Sequence, residues 1–357
     1  MSETTAPDGD ISISVPVSAM SSAPAHPKTT WQRRLNAIVT YGTAASTVIA
    51  LAGCAGRAWW VFALAANFRV QSFWGLLLAT ILLLATHRRK TAIFTAALMA
   101  LHGWLLWPYL ATPPRSWHHE DAALQTVRLR VVTLNLWASN TQYQRVVEFL
   151  RKSSADIVVL EEIDPVWVPH LEPLQVDWPH HSSLTWEGRY GMAIFSRWPI
   201  ARPHNEFLSD GVPVITARTL VNDVPLAIFG VHLSHPLSRA GYRQQAQELV
   251  ALPKILKDKS LDRIVLGDFN STPWNPAFFD FLSQAGLSES RLGFGVQPSW
   301  PSSLPVALRI PIDHCLVSKN VRVVRHKIGP PVGSDHLPVI VDLEVRRPIP
   351  ENDSPAK

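Results

Sequence analysis

The sequence predicts an α/β domain built of two packed sheets covered by helices, preceded by about three N-terminal membrane-spanning helices. Two observations carry this. Beyond residue 126, short apolar runs rich in Val and Ile alternate with longer, helix-patterned stretches, and the runs are too many for one simple sheet. Before residue 115 the chain has long uncharged runs instead.

Residues 1–34 are a Ser/Thr/Ala/Pro-rich tail without apolar periodicity, expected to be disordered and cytoplasmic. The membrane region is expected at residues 35–114, with spans at about 35–56, 70–86 and 91–112. Leu35–Gly56 holds 22 residues without a charge, Val70–Thr86 holds 17 and Thr91–Pro114 holds 24. A helix crossing a hydrocarbon layer needs roughly 17–25 residues. The 11 residues Ala58–Phe68, between Arg57 and Arg69, are too short to cross and read as an interfacial turn carrying Trp59 and Trp60. Buried core helices would explain one such run, but three within 80 residues point to a membrane.

Orientation follows from the short loops. Lys28, Arg33 and Arg34 precede the first span and Arg88, Arg89 and Lys90 separate the second from the third, whereas Arg57 and Arg69 alone mark the other side. This bias puts the N-terminus and the HRRK loop in the cytoplasm, so three crossings carry everything after Pro114 out of it. In a bacterium that is the periplasm or exterior. A cleaved signal peptide does not fit an apolar run that starts some 35 residues in and is followed by further spans. Cys54 lies in the first span and Cys315 stands alone in the domain, which excludes a disulfide within the domain.

Residues 115–345 are long enough for one sizeable core. Strands are predicted at Val127–Leu134, Ile157–Glu161, Gly191–Phe195, Val214–Leu220, Leu226–Leu233, Ile264–Leu266, Ile312–Val317, Val321–Ile328 and Leu337–Val345. Helices are predicted at Thr141–Lys152, Ser238–Lys257 and Asn275–Ala285, the last started by Pro273 and Pro276. Residues 346–357 read as a disordered tail.

The overall pI of about 9.4 misleads. Eight of the 33 Lys and Arg but only three of the 28 Asp and Glu precede residue 115, leaving 25 of each sign in the domain. The excess charge therefore belongs to the anchor. No Lys/Arg-rich run with interleaved aromatics appears, which weighs against general nucleic-acid binding.

The most informative segment is Ile264–Asn275, IVLGDFNSTPWN, where an apolar run ends at Gly267 and releases Asp268 and Asn270 on one face. Other polar residues end apolar runs in the same manner: Asn135 in VVTLN, Glu162 in IVVLEE, His232 in IFGVHLS, Asp313 in PIDHCLVS, and Asp335 with His336 in GSDHLPVI. Taken singly these are ordinary residues, a turn Asn, a charged strand end, a hydrogen-bonded His or a capping D-x-N. Their joint order resembles the endonuclease/exonuclease/phosphatase superfamily over about Val127–Val345, two thirds of the chain.

That resemblance implies a DNase I-like, four-layer αββα sandwich with the site at one end of the sheets. It implies a metal site of Asn135, Glu162 and Asp335, and catalytic residues His232, Asp268, Asn270, Asp313 and His336. Hard oxygen ligands of this kind suit Mg²⁺ or Mn²⁺. In the family pattern the Asp matching Asp268 handles a proton of the water or leaving group, Asn270 and His232 contact phosphate, and Asp313 orients His336. Two positions depart from the pattern: Glu161 stands where a Gln or other polar residue precedes the metal glutamate, and His314 replaces the commoner Tyr. Thr185–Ile200 resembles the family's G-x-A-I-x-S-R strand, with Arg189 offering either a phosphate contact or a surface charge. The expected function is a membrane-anchored, divalent-metal-dependent phosphohydrolase, most simply a phosphodiesterase, acting outside the cytoplasm. Its substrate is expected to be a phosphoester, whether a lipid headgroup, a nucleic acid or a soluble compound, since substrate choice resides in loops. An extracytoplasmic nuclease, or a pseudoenzyme that binds and senses, remains the alternative. No partner protein is identifiable.

Overall fold

A computed structural model of the chain describes residue 2 and residues 30–111, 126–186, 188–208, 211–257 and 260–346. Most of the expected N-terminal tail and nearly all of the C-terminal tail lie outside the described residues. The first helix, α1, runs Thr30–Cys54 and so begins within the stretch expected to be tail. A short helix α2 (Trp60–Ala66) leads into α3 (Arg69–Ala85) across a 74° bend, and α4 spans Arg89–Leu110. Two helices, α1 and α4, are each long and apolar enough to cross a membrane, and the bent pair makes a third if it counts as one span. The expected interfacial turn at Ala58–Phe68 is thus largely helical. Seven apolar and small residues without Gly or Pro form two turns once Trp59 and Phe62 pack edge to face at 5.4 Å.

The two ends of this bundle differ. At one end Arg88 donates to Thr40 Oγ1 at 2.8 Å and Asn36 Oδ1 at 3.3 Å. At the other, Arg57 pairs with Asp280, Tyr109 meets Trp274, and Gln71 donates to the carbonyls of Ala307 and Arg309, all on the following domain.

The domain runs β1 (Thr126–Asn135), α5 (Tyr143–Ser153), β2 (Ile157–Glu161), α6 (Val168–Leu171), β3 (His180–Leu184), β4 (Met192–Ser196), β5 (Ile200–Phe207), β6 (Pro213–Val221), β7 (Val224–His232), α7 (Arg239–Ile255), β8 (Asp262–Asp268), α8 (Pro276–Ala285), β9 (Ser288–Glu289), β10 (Asp313–Val317), β11 (Val321–Ile328) and β12 (Val339–Arg346). These strands form two six-stranded sheets, β11-β12-β1-β2-β4-β3 and β5-β6-β7-β8-β10-β9. The two parallel pairs, β1 with β2 and β7 with β8, are each bridged by a helix, α5 and α7, as parallel neighbours require.

Three apolar layers hold four layers of structure together. Val131, Val159 and Ile194 of one sheet meet Ile215, Ile228 and Leu266 of the other. On the outer faces Val132, Val158 and Leu160 pack with Val146 and Leu150 of α5, and Val265 and Phe229 with Leu249, Phe278 and Phe281 of α7 and α8. Successive side chains of a strand point to opposite faces. Both faces are buried here, so the central strands read as unbroken apolar runs. The expected four-layer αββα architecture is the observed one.

Three strands were not expected. β3 and β5 are sheet edges, and β9 is a two-residue strand at the remaining edge of the second sheet. The sequence HHSSL of β3 and the Pro203 in β5 show why: an edge strand faces solvent and tolerates polar residues and Pro, so it lacks the apolar run that marks a central strand.

Candidate active site

Strand register brings the sequence motifs together. His232 on β7 is paired with Asp268 on β8, and Asp268 with Asp313 on β10, giving one row of three titratable side chains across the second sheet. On the first sheet Asn135 pairs with Glu161. The two rows face each other across the end of the sandwich, where a polar cavity of about 440 Å³ is lined by Glu162, Arg189, His232, Asp268, Asn270, Asp335 and His336, with Trp137 and Trp300.

Local backbone conformation decides which side chains enter. Gly267 has φ of +140°, and a Cβ there would lie 1.9 Å from the Val231 carbonyl, so the GDFN segment needs glycine to run this close to β7. Glu162 has φ of +59° just past β2, which turns its side chain into the cavity. Glu161 stays in the strand and is completely buried, with Oε1 accepting from Thr133 Oγ1 at 2.6 Å. Burial pushes the Glu161 carboxyl well above its ordinary value, the direction that favours the uncharged form.

Asp268 is the hub. Its Oδ1 accepts from the Asn270 backbone N–H at 2.7 Å, and its Oδ2 accepts from Asn135 Nδ2 at 3.2 Å and Asn270 Nδ2 at 3.3 Å. The same Oδ2 lies 3.7 Å from Nε2 of both His232 and His336. Burial raises the Asp268 carboxyl to about 6, with Asp313 adding repulsion, while the two histidines and the Asn270 N–H pull the other way.

The histidines are oriented from behind. His232 Nδ1 donates to the Arg189 carbonyl at 2.8 Å, leaving Nε2 toward the acids. His336 Nδ1 faces both oxygens of Asp313, at 2.9 and 3.0 Å, and Ser299 Oγ donates to the same carboxylate. Burial alone would lower His336, but the charges of Asp313 and Asp268, the Asp313 hydrogen bond and Asp335 outweigh it and lift the imidazole to about 10. Burial would likewise raise Asp313, yet the charge and hydrogen bond of His336, with Ser299 and His314, hold it below the ordinary carboxylate range.

Of the eight expected residues, Glu162, His232, Asp268, Asp335 and His336 line the cavity, Asp313 stands behind His336, and the two asparagines make hydrogen bonds within the site. Asn135 turns its amide nitrogen to Glu162 Oε1 and Asp268 Oδ2, both at 3.2 Å, because its Oδ1 accepts from the Trp137 N–H at 2.9 Å. In that orientation its nitrogen bridges two carboxylates. Asn270 Nδ2 donates to the Leu233 carbonyl at 2.9 Å as well as to Asp268, so the amide nitrogen braces the loop. His235, near enough in sequence to be confused with His232, is exposed at the rim.

The donor set fits a divalent cation. Glu162, Asp268 and Asp335 bring three carboxylates to one cavity, and Asp335 Oδ1 is a buried oxygen without a hydrogen-bond partner, 3.9 Å from His336 Nε2. Carboxylates that share a cavity favour a cation or proton among them. A tighter group, Asp268, Asp313 and His336, has ligand atoms within 4.8 Å of one another, but Asp313 and His336 are already bonded to each other.

Several supporting residues were not anticipated. Gln245, buried on α7, donates to the carbonyls of Ser234, Phe269 and Asn270, and Glu248 accepts from the Ser234 N–H and hydroxyl. Trp300 Nε1 donates to Asp335 Oδ2 at 3.0 Å. The available signal was two polar residues, Gln245 and Glu248, in the middle of an otherwise apolar helical stripe.

Oxygen donors for a hard cation, a buried base and two oriented imidazoles in one cavity define an enzyme of the metal-dependent phosphoric ester hydrolase type. Residues 132–336 match the Endonuclease/Exonuclease/phosphatase family, and the chain belongs to that family. No curated protein matches it. Among solved structures it is similar to an endonuclease/exonuclease/phosphatase from Beutenbergia cavernae DSM 12333, at 20% identity and a TM-score of 0.50, covering 61% of this chain and 72% of that one. A family protein from Bacteroides vulgatus aligns at 17% identity and TM-score 0.52, over 61% and 99% of the two chains. TDP2 of D. rerio, solved with a single-strand DNA product, aligns at 16% identity and TM-score 0.52, over 60% and 98%.

Proposed function

We propose that the chain is a membrane-anchored, Mg²⁺- or Mn²⁺-dependent phosphodiesterase whose active site lies outside the cytoplasm. The observation that carries the chemistry is Asp268 Oδ2 held 3.7 Å from two imidazole nitrogens beside the carboxylates of Glu162 and Asp335. Glu162 and Asp335, with Asp268 adjoining, would hold the cation, and Asn135 bridges Glu162 and Asp268. The cation supplies neutralisation of charge at the phosphoryl oxygens.

The chain's own groups divide the proton work. Asp268, with a value near 6, is basic enough near neutral pH to take a proton from the attacking water as the new O–P bond forms. His336, kept charged by Asp313, presents Nε2–H to the phosphoryl group and to the departing ester oxygen as the old P–O bond breaks. Two groups with values driven apart in one cavity are the signature of an acid and a base. His232, fixed by the Arg189 carbonyl, contributes a second imidazole on the opposite side of Asp268.

The anchor supports the proposed sidedness. The basic end of the bundle, with Arg88 against Asn36 and Thr40, is the end away from the domain contacts of Arg57, Gln71 and Tyr109. Basic loops stay in the cytoplasm. Membrane proximity favours a lipid or envelope phosphodiester. One observation favours a nuclease instead: Trp137 lines the cavity and is 42% exposed, the setting in which an indole stacks on a base. The deciding experiment offers full-length protein in detergent a panel of plasmid DNA, single-stranded RNA, phospholipids and soluble nucleotides with Mg²⁺ or Mn²⁺. Turnover of lipid above all others supports the envelope reading, and turnover of nucleic acid with steep salt dependence replaces it with the nuclease. No metal-dependent turnover of any phosphoester would leave a binding module.

A further inference from the structure

A second cavity, of about 660 Å³, lies where the helices meet the domain, between the start of α3, the last turns of α4 and the segment from Pro273 into α8. It shares no lining residue with the catalytic cavity. Its walls are mainly apolar and aromatic, including Trp104, Trp107, Trp274 and Phe279.

Two side chains in this wall keep buried donors that no acceptor meets. Arg69 is buried at 5% exposure; its Nη2 reaches the Gly53 carbonyl at 3.4 Å, while Nε and Nη1 have no hydrogen-bond partner. Trp274 Nε1 is likewise buried without one. Among the described residues no carboxylate forms an ion pair with Arg69. The other charges of the wall are matched: Arg57 binds Asp280 through both guanidinium nitrogens, and Glu289 is held by His314 and lies 3.7 Å from Arg291. One buried positive charge with unmet donors is left over, which is costly unless an anion meets it.

Position identifies the anion. Trp104 and Trp107 are 70% and 64% exposed on the last turns of a span, where indoles mark the level of lipid headgroups. A guanidinium fork matches two phosphate oxygens. From this juxtaposition of a buried, unpaired Arg69 and Trp274 N–H with aromatic walls at the membrane surface, we propose that the junction cavity binds an anionic phospholipid. Its phosphate sits on Arg69 and Trp274 and an acyl chain lies along Trp104 and Phe279. The site rests on the membrane-anchored reading. It also bears on catalysis, because Trp274 ends the segment that starts at Asp268.

The test is native mass spectrometry of the full-length protein released from nanodiscs containing equal phosphatidylcholine and phosphatidylglycerol. Retention of phosphatidylglycerol about 10-fold above phosphatidylcholine is expected, and Arg69→Met and Trp274→Phe should each lower it by about 10-fold, the scale of losing a charge-assisted hydrogen bond. Trp274→Phe keeps an aromatic side chain while removing the N–H, and thermal unfolding of each variant guards against loss through misfolding. Equal retention of both lipids, or undiminished phosphatidylglycerol in both variants, overturns the proposal. So does inorganic phosphate binding at Arg69 with no lipid retained, which assigns the donors to a soluble anion. A chain that stays in solution without detergent would instead remove the anchor itself, a failure distinct from that of the lipid site.

Discussion

Asn67, at the bend between α2 and α3, accepts two hydrogen bonds from Thr272, one from its backbone N–H at 3.3 Å and one from Oγ1 at 2.8 Å. All three groups are buried. Thr272 belongs to the loop that follows Asp268 and Asn270, so the N-terminal helices directly brace the loop of the candidate active site. Asn67→Ala leaves two buried donors unmet and should cost about 1–3 kcal/mol. Denaturant titration of the full-length protein in detergent measures this. Unchanged midpoints for Asn67→Ala and Thr272→Val would show that helices and domain do not depend on the contact.

Removing either proton-handling group should lower turnover of a bis-nitrophenyl phosphate by at least ~10²-fold, the scale of general acid–base catalysis. The variants are Asp268→Asn and His336→Ala, each checked for folding by circular dichroism. Full activity in both would sink the assignment of roles.

The metal-free protein should lose stability in two successive steps as pH rises. His336 is raised to about 10, so the stability it contributes is fully present below its unfolded value near 6.5 and is lost as pH climbs through about 10. Asp268 is raised to about 6, so its folded form holds a proton that the unfolded chain releases near 3.9, and its cost to stability appears as pH rises between those values. Unfolding measured against pH should therefore show a loss between about 4 and 6 that disappears in Asp268→Asn. A bound cation beside Asp268 draws that window to lower pH. An identical profile in the variant would place the titration elsewhere.

Divalent metal should stabilise the fold by mass action, about 2.7 kcal/mol at a hundredfold excess over the dissociation constant. Glu162→Gln and Asp335→Asn should each shift the titration to higher Mg²⁺ or Mn²⁺ concentration, followed by thermal unfolding. If Asn135→Ala weakens metal binding only as far as Glu162 loses its alignment, its effect should be smaller than either. Equal loss in all three would restore Asn135 as a direct ligand.

Sidedness is open to a fusion test. A reporter phosphatase that works only outside the cytoplasm, joined after Lys357, should be active, while a fluorescent protein that folds only inside should stay dark. The reverse pattern would put the domain in the cytoplasm and make nucleotides or inner-leaflet lipids the substrates.

What was legible in the sequence by itself is what local pattern encodes. Central strands such as VVTLN and IVVLE are buried on both faces, so burial writes itself as an unbroken apolar run, and each run's polar terminus marks a site residue. That sufficed for the architecture, for the long uncharged helices and for picking out Glu162, His232, Asp268, Asp313, Asp335 and His336, which the fold gathers at one end of the sandwich. Tertiary structure alone decided the rest. The edge strands His180–Leu184 and Ile200–Phe207 carry no apolar signature because one side of each has no neighbour. The amide of Asn135 faces the carboxylates only because the Trp137 N–H claims its oxygen. Glu161 and Glu162 are adjacent in sequence, yet one is sealed under Thr133 and the other turned outward by a left-handed backbone. Ser299, Trp300, Gln245 and Thr272 act through partners distant in sequence, and a hydrogen bond across that distance leaves no periodicity to read.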